Sequence, residues 1–180
     1  MTLHARPPMF HVCIQTVVVA VLVVGMPPRT SASGAPKIPR VRDNGDPSIA
    51  ALLQEATEHS PTFRRLVDTI DATDGIVYVE QGRCGHHVRA CLVLTVRVAG
   101  PNRLLRIFVD IHRSHGDLLA SIGHELQHAV EALSDPHVTD TRSIYFFFDR
   151  IGQIGQDRFE TIAAIQAGLD VLAEWRASTR

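Results

Sequence analysis

The sequence predicts an α+β fold, and three observations carry that reading. Apolar residues recur at helical spacing over 47–70 and again from residue 117 almost to the C-terminus. Between these stretches, over 76–111, the period drops to two and β-branched residues gather. Helices and strands are therefore segregated along the chain instead of alternating, as in α+β domains. The expected architecture is a small twisted sheet of about three strands packed against helices.

The first 35 residues are a different material. His4 and Arg6 give a weakly positive start, and Val12 to Val24 is an apolar run interrupted only by Gln15 and Thr16. Gly25, Pro27 and Pro28 close the run before a small-residue stretch, Ser31-Ala32-Ser33-Gly34-Ala35. This is the three-part pattern of a secretory signal. The run is shorter than the roughly 20 apolar residues of a spanning helix, which favours a cleaved signal over an uncleaved anchor. Residues 12–24 are then the only membrane-associating part, and the rest is expected to be secreted or periplasmic. Residues 36–46, with Pro36, Pro39 and Asn44-Gly45-Asp46, read as a linker, and 47–180 as one domain.

Asp46 can cap a helix over 47–59 that begins at Pro47 and carries Ile49, Leu52, Leu53 and Ala56 at helical spacing. Ser60-Pro61 breaks it, and Phe63, Leu66, Val67 and Ile70 mark a second helix over 62–70. Ile76 to Glu80, Ala90 to Val98 and Leu104 to Ile111 read as strands. The last two form a hairpin through Gly100-Pro101-Asn102. A helix over 117–133 follows and ends at Ser134-Asp135-Pro136. Residues 140–151, with Tyr145, Phe146, Phe147 and Phe148, read as a buried helix, 152–155 as a loop and 158–177 as a final helix.

The chain has 180 residues, a formal net charge of -1, 45% hydrophobic and 21% charged residues. These values exclude a disordered chain and a basic nucleic-acid binder. Of three cysteines, Cys13 lies in the signal, leaving Cys84 and Cys91 as an even pair. In an oxidising compartment the pair reads as a disulfide. The competing reading is a second metal site built from Cys84, His86, His87 and Cys91, although the tight C-x-x-C pairs of zinc knuckles are missing.

The 117–133 helix contains His124-Glu125-Leu126-Gln127-His128. Two imidazoles four residues apart share a helical face, so both can reach one Zn²⁺, with the intervening carboxylate beside the open coordination position. Leu119, Ile122, Leu126, Ala129 or Val130, and Leu133 form an apolar stripe elsewhere on the helix. A catalytic zinc needs a third protein ligand. Glu131 shares the face, yet His124 to Glu131 spans about 10.5 Å of helical rise, too far for one ion, so Glu131 reads as a second-layer or alternative ligand. Glu160 is the favoured third ligand. It is expected on the last helix, on a face of small residues (Ala164, Ala167, with Ala163 and Gly168 nearby) that lets helices approach closely. Asp157, Asp149, His137 and Asp140 remain alternatives.

The segment Ile122 to Glu131 closely resembles the active helix of zincin metallopeptidases, of the gluzincin type in particular. Phe159-Glu160-Thr161, with Ala163-Ala164 after it, looks like the helix that donates a ligand there. The wider pattern is similar to small uncharacterised secreted bacterial proteins with this helix: Ser60-Pro61-Thr62-Phe63-Arg64, then Val77-Tyr78-Val79, then Leu105-Arg106-Ile107. The metzincin extension is missing, since Glu131 stands where its glycine is expected. The resemblance implies a zincin-like fold and a zinc-dependent peptidase acting on a peptide or protein substrate. It implies Glu125 as general base, an edge strand that pairs with extended peptide, and an oxyanion partner among Tyr145, His137 and Arg158. The competing function is a zinc-binding, non-proteolytic envelope or interaction module on the same fold.

Overall fold

Proline and a capping side chain open each of the first two helices. In α1 (Pro47–His59) the Asp46 carboxylate accepts from the N–H groups of Ser48 and Ile49, and Pro47 stands where no N–H is needed. In α2 (Pro61–Asp71) Ser60 and Pro61 repeat the device, with Ser60 Oγ accepting from Phe63 N–H at 3.0 Å. The structure, a computed structural model, describes residues 38–85, 88–112, 114–155 and 158–180. The signal and its Cys13 lie outside the described residues, as do His86, His87 and the side chain of Asp157. Among the described residues, no helix is long and apolar enough to cross a membrane.

The fold is α+β, with a mixed sheet larger than expected. Its strands are β1 (Val41–Arg42), β2 (Gly75–Gln81), β3 (Ala90–Leu92), β4 (Arg97–Ala99) and β5 (Asn102–Val109). β1, β2 and β5 run parallel in that order, and β3 and β4 both pair antiparallel with β5, at opposite ends of it. The expected strand over 90–98 is therefore two strands. Residues 93–96 stand opposite only Leu105 and Arg106, between the Leu92–Ile107 and Arg97–Leu104 pairs, so the excess turns out of the ladder. Thr95 N–H closes that turn on Val93 C=O. Nor is 36–46 a plain linker. Arg40 N–H donates to Asp71 and its guanidinium to Gly75 C=O, which brings Val41 onto β2.

One sheet face, with Val77, Val79, Leu105, Ile107 and Val109, is fully buried. It forms one core with Leu119, Ile122, Leu126 and Ala129 of α3 (His115–Ser134). Arg103, at the far end of β5, is buried and donates to the carbonyls of Leu133, Asp135 and Val138 and to Asp74. It thereby satisfies carbonyls at and just beyond the C-terminus of α3 that have no helical partner. In α4 (Thr141–Ile151) Asp140 and Ser143 form a capping box, and only Ile144, Phe147 and Phe148 are buried. Tyr145 and Phe146 are exposed, so half of the aromatic run escapes the expected burial.

The expected loop and helix start after residue 151 are instead a hairpin, β6 (Gln153–Gly155) with β7 (Arg158–Glu160). The last helix, α5 (Ile162–Ser178), begins only after Thr161, whose hydroxyl accepts from Ala164 N–H. Threonine is a capping residue, and helical periodicity read through it placed the helix start four residues early. α5 buries Ala164, Ala167, Gly168 and Val171, while Ile162, Ile165 and Leu169 are exposed. Its contact with α3 is close. A Cβ on Gly123 would lie 2.8 Å from Val171 Cγ2, and one on Gly168 3.2 Å from Ala120 C=O.

Two effects compete in Gly123→Ala. Helix propensity favours alanine by about 1 kcal/mol, whereas overpacking of a tight core costs about 1–3 kcal/mol. Val171 is fully buried, and its branched side chain has little room to retreat. Denaturant unfolding should show a net loss of about 1 kcal/mol, with a much smaller penalty for Gly123→Ala in a Val171→Ala background.

Candidate metal centre

The middle turns of α3 and the last residue of β7 meet at one point. His124, His128 and Glu160 each offer a ligand atom there, all within 4.8 Å of one another. His124 Nε2 lies 3.0 Å and His128 Nε2 4.0 Å from Glu160 Oε2. Glu160 thus reaches the cluster from a strand end and not from the helix on which it was expected, because Thr161 starts α5 one residue later. The small-residue face still matters. Gly168 lies against His124, its missing Cβ only 3.4 Å from His124 Cβ.

The three residues could hold a metal ion. Glu160 Oε2 is buried without a hydrogen-bond partner, despite the nearby His124 ring. Buried carboxylate oxygens are ordinarily hydrogen-bonded, and a cation shared with the two imidazoles would satisfy this one. Ligand atoms around a tetrahedral ion with bonds near 2 Å sit about 3.3 Å apart. The two distances to Glu160 Oε2, 3.0 and 4.0 Å, bracket that value.

Behind His128 lies a second layer. Glu131 Oε2 is 3.0 Å from His128 Nδ1, and Glu131 Oε1 accepts from Thr161 Oγ1 at 2.7 Å. A carboxylate can only accept, so Nδ1 carries the proton and Nε2 is left free to ligate. Phe148 packs edge-on against the His128 ring, 5.3 Å between centroids. Glu131 is thus engaged away from the convergent ligand atoms. Asp149 and His137 are exposed, Asp140 caps α4, and none of these three joins the cluster. The side chains of Asp157 and Arg158 lie outside the described residues.

Glu125 is buried between the ligands and the sheet. Its Oε2 accepts from Leu92 N–H on β3 at 2.7 Å, and its Oε1 is 4.0 Å from His124 Nε2. Burial pushes its carboxyl up to about 7, against the pull of His128 and the Leu92 N–H. Burial and the charge of His128 hold His124 below the ordinary histidine value. For His128, burial is outweighed by the Glu131 hydrogen bond and the surrounding carboxylates, and its pKa rises. Burial would raise Glu131 as well, but hydrogen bonds from His128 and Thr161 hold it below the usual range.

Two cavities flank the ligands and share Val88, Ala90, His124, Glu125 and Glu160. One, of about 370 Å³, runs toward Asp117, Ser121, Ile165 and Leu169. The other, of about 330 Å³, runs toward Leu94, His128, Tyr145, Phe148 and Phe159. Together they form a cleft along α3 and β3 with the cluster at its middle. Cys84 and Cys91 line the second cavity and are joined as a disulfide, Cα–Cα 5.8 Å, which removes their thiols from any metal site. Sequence reasoning missed two contributors. Thr161 was legible as a capping residue before an apolar run, whereas the Leu92 backbone N–H has no signature in the sequence. No protein-family model matches the chain, and no match was found among curated proteins or solved structures.

The ligand assignment separates Glu160 from Glu131. Glu160→Ala should abolish stoichiometric zinc binding in a chelator competition, while Glu131→Ala should weaken it about 10–100-fold. The reverse order would make Glu131 the ligand. The buried acid gives a pH signature in metal-free protein. Folded Glu125 keeps its proton to about pH 7, whereas the unfolded chain ionises near the ordinary 4.5. Stability from this group is therefore full below pH 4.5 and is lost as pH rises toward 7. Between pH 5 and 8 metal-stripped protein should lose about 2 kcal/mol more unfolding free energy than its Glu125→Gln variant.

Proposed function

We propose that this chain is an exported, zinc-dependent peptidase with a zincin-like active site, in which Glu125 is the general base. The observation that carries the reading is the convergence of His124, His128 and Glu160, with the Glu125 carboxylate buried beside them in one cleft. Two neutral imidazoles and one carboxylate are the donor set of catalytic zinc sites, whereas magnesium and calcium favour oxygen-rich sets. When bound, zinc supplies Lewis acidity toward a carbonyl and lowers the pKa of water. The likeness of Ile122 to Glu131 to the gluzincin helix supports the same assignment. Export is supported by the composition of residues 1–35 and by a disulfide, a bond that persists in oxidising compartments.

In this reading Glu125 takes a proton from the attacking water and passes it to the leaving amine. Positive charge added beside it favours the ionised form that a base requires. Its apolar surroundings and its bond from Leu92 hold the carboxylate in one place while the proton moves. Glu131, through Nδ1, keeps His128 in the tautomer that presents Nε2.

The substrate is an extended peptide lying along β3. The ladder to β5 uses Arg89 C=O and Val93 N–H. By strand alternation the N–H and C=O of Ala90 then face the open edge. Apolar walls on both sides, Ile165 and Leu169 in one cavity and Leu94, Tyr145 and Phe159 in the other, suit apolar side chains flanking the scissile bond. Tyr145, exposed at the rim, is the oxyanion partner the cleft favours.

Metal analysis should find one zinc per chain, and mass spectrometry of a peptide mixture should find cuts beside apolar residues. Glu125→Gln should lower cleavage about 10²–10⁴-fold with zinc retained. A native chain that holds zinc and cuts nothing is instead the non-proteolytic module.

A further inference from the structure

The edge strand that holds Glu125 is short and poorly supported. β3 has three residues and one ladder neighbour, β5, and after one further bond, Val93 N–H to Arg106 C=O, the chain turns out of the ladder. On its other side Leu92 N–H donates to Glu125 Oε2 at 2.7 Å. The side chains of Ala90 and Leu92 are held in the core, but the backbone of so short an edge strand has a ladder partner on one side alone. Yet the N–H at this end orients the carboxylate.

A covalent tie crosses the weak point. Successive side chains of a strand point to opposite faces. Ala90 and Leu92 are buried toward α3, so Cys91 faces the other side of the sheet, opposite Phe108 of β5. There it joins Cys84, in the segment that follows β2. That segment is itself anchored. Gly82 N–H donates to Val109 C=O at 3.0 Å, and a Cβ on Gly82 would lie 2.7 Å from the Phe108 ring. The disulfide carries this anchor across β5, at Phe108, to the residue next to Leu92.

We propose that the Cys84–Cys91 disulfide positions Glu125, by clamping β3 so that the Leu92 N–H stays on the carboxylate. The catalytic consequence rests on the peptidase reading, whereas the clamp itself does not. The disulfide and Leu92 border the second cavity, but the effect proposed for the disulfide runs through the Leu92–Glu125 contact.

The test is a mutant cycle on the zinc-loaded full chain. Cys84→Ser/Cys91→Ser should lower kcat about tenfold, leave KM within about twofold, and leave one zinc bound. In a Glu125→Asp background, whose shorter carboxylate no longer reaches Leu92, the same pair should cost less than about twofold in kcat. A disulfide that merely stabilises the fold costs the same in both backgrounds, and that result overturns the proposal. Amide exchange provides a readout independent of catalysis. Leu92 N–H should be protected in the native chain and exchange about tenfold faster without the disulfide. Unchanged protection overturns the clamp. Should the serine pair fold poorly, a water-soluble phosphine reduces the native folded chain instead, passing two electrons to the S–S bond and leaving as its oxide. A native chain that binds zinc and hydrolyses no peptide removes the peptidase reading, and Leu92 exchange alone then decides the clamp.

Discussion

The close contact of α3 with α5 is the constraint on which the rest depends. It exists because glycine stands on each helix where the other comes nearest, Gly123 beneath Val171 and Gly168 against Ala120 and His124. Larger residues would push the axes apart. The ligands sit at the edge of this contact, so its spacing sets whether Glu160 reaches the histidines. Thr161 ties the same corner a second time. It caps α5 through Ala164 N–H and donates to Glu131, which holds His128. Two consecutive residues thus join the last helix to both the ligand cluster and its second layer.

The sheet contributes on its own account. Its buried face packs on the apolar stripe of α3, which fixes how the helix is rotated and therefore which way its histidines point. Its antiparallel edge comes close enough for a backbone N–H to reach Glu125. The result is five acidic or imidazole groups in a small, mostly apolar volume, with the proton affinities of His124, Glu125, His128 and Glu131 pushed apart. Glu125 is held up to about 7 by burial, while Glu131 stays low because two strong donors oppose the same effect. Separated affinities within one site are the arrangement that acid–base work requires.

Where sequence and structure part company, the cause is specific. Ala90 to Val98 has uniform strand composition, and nothing in it signals that two extra residues must turn out between Leu92 and Arg97. Val41–Arg42 is too short to show a period, and its pairing depends on Arg40 reaching Asp71 and Gly75 across the fold. Phe159 and Glu160 fit the helical period of the residues after them, so only the capping threonine distinguishes strand from helix there.

What the sequence determined by itself was local. The helix start at Pro47, the break at Ser60-Pro61, the spacing of His124 and His128 with Glu125 between them, and the segregation of strands from helices all follow from neighbours within one or two turns. Such contacts are written in short-range order. The tertiary structure decided the rest. It brought Glu160, already favoured over Glu131 by helical rise, to the histidines from a strand end, and it brought Leu92 onto Glu125. Each of the two long-range contacts joins residues 32 or more apart in sequence, and such distances are set only when packed elements fix one another in space.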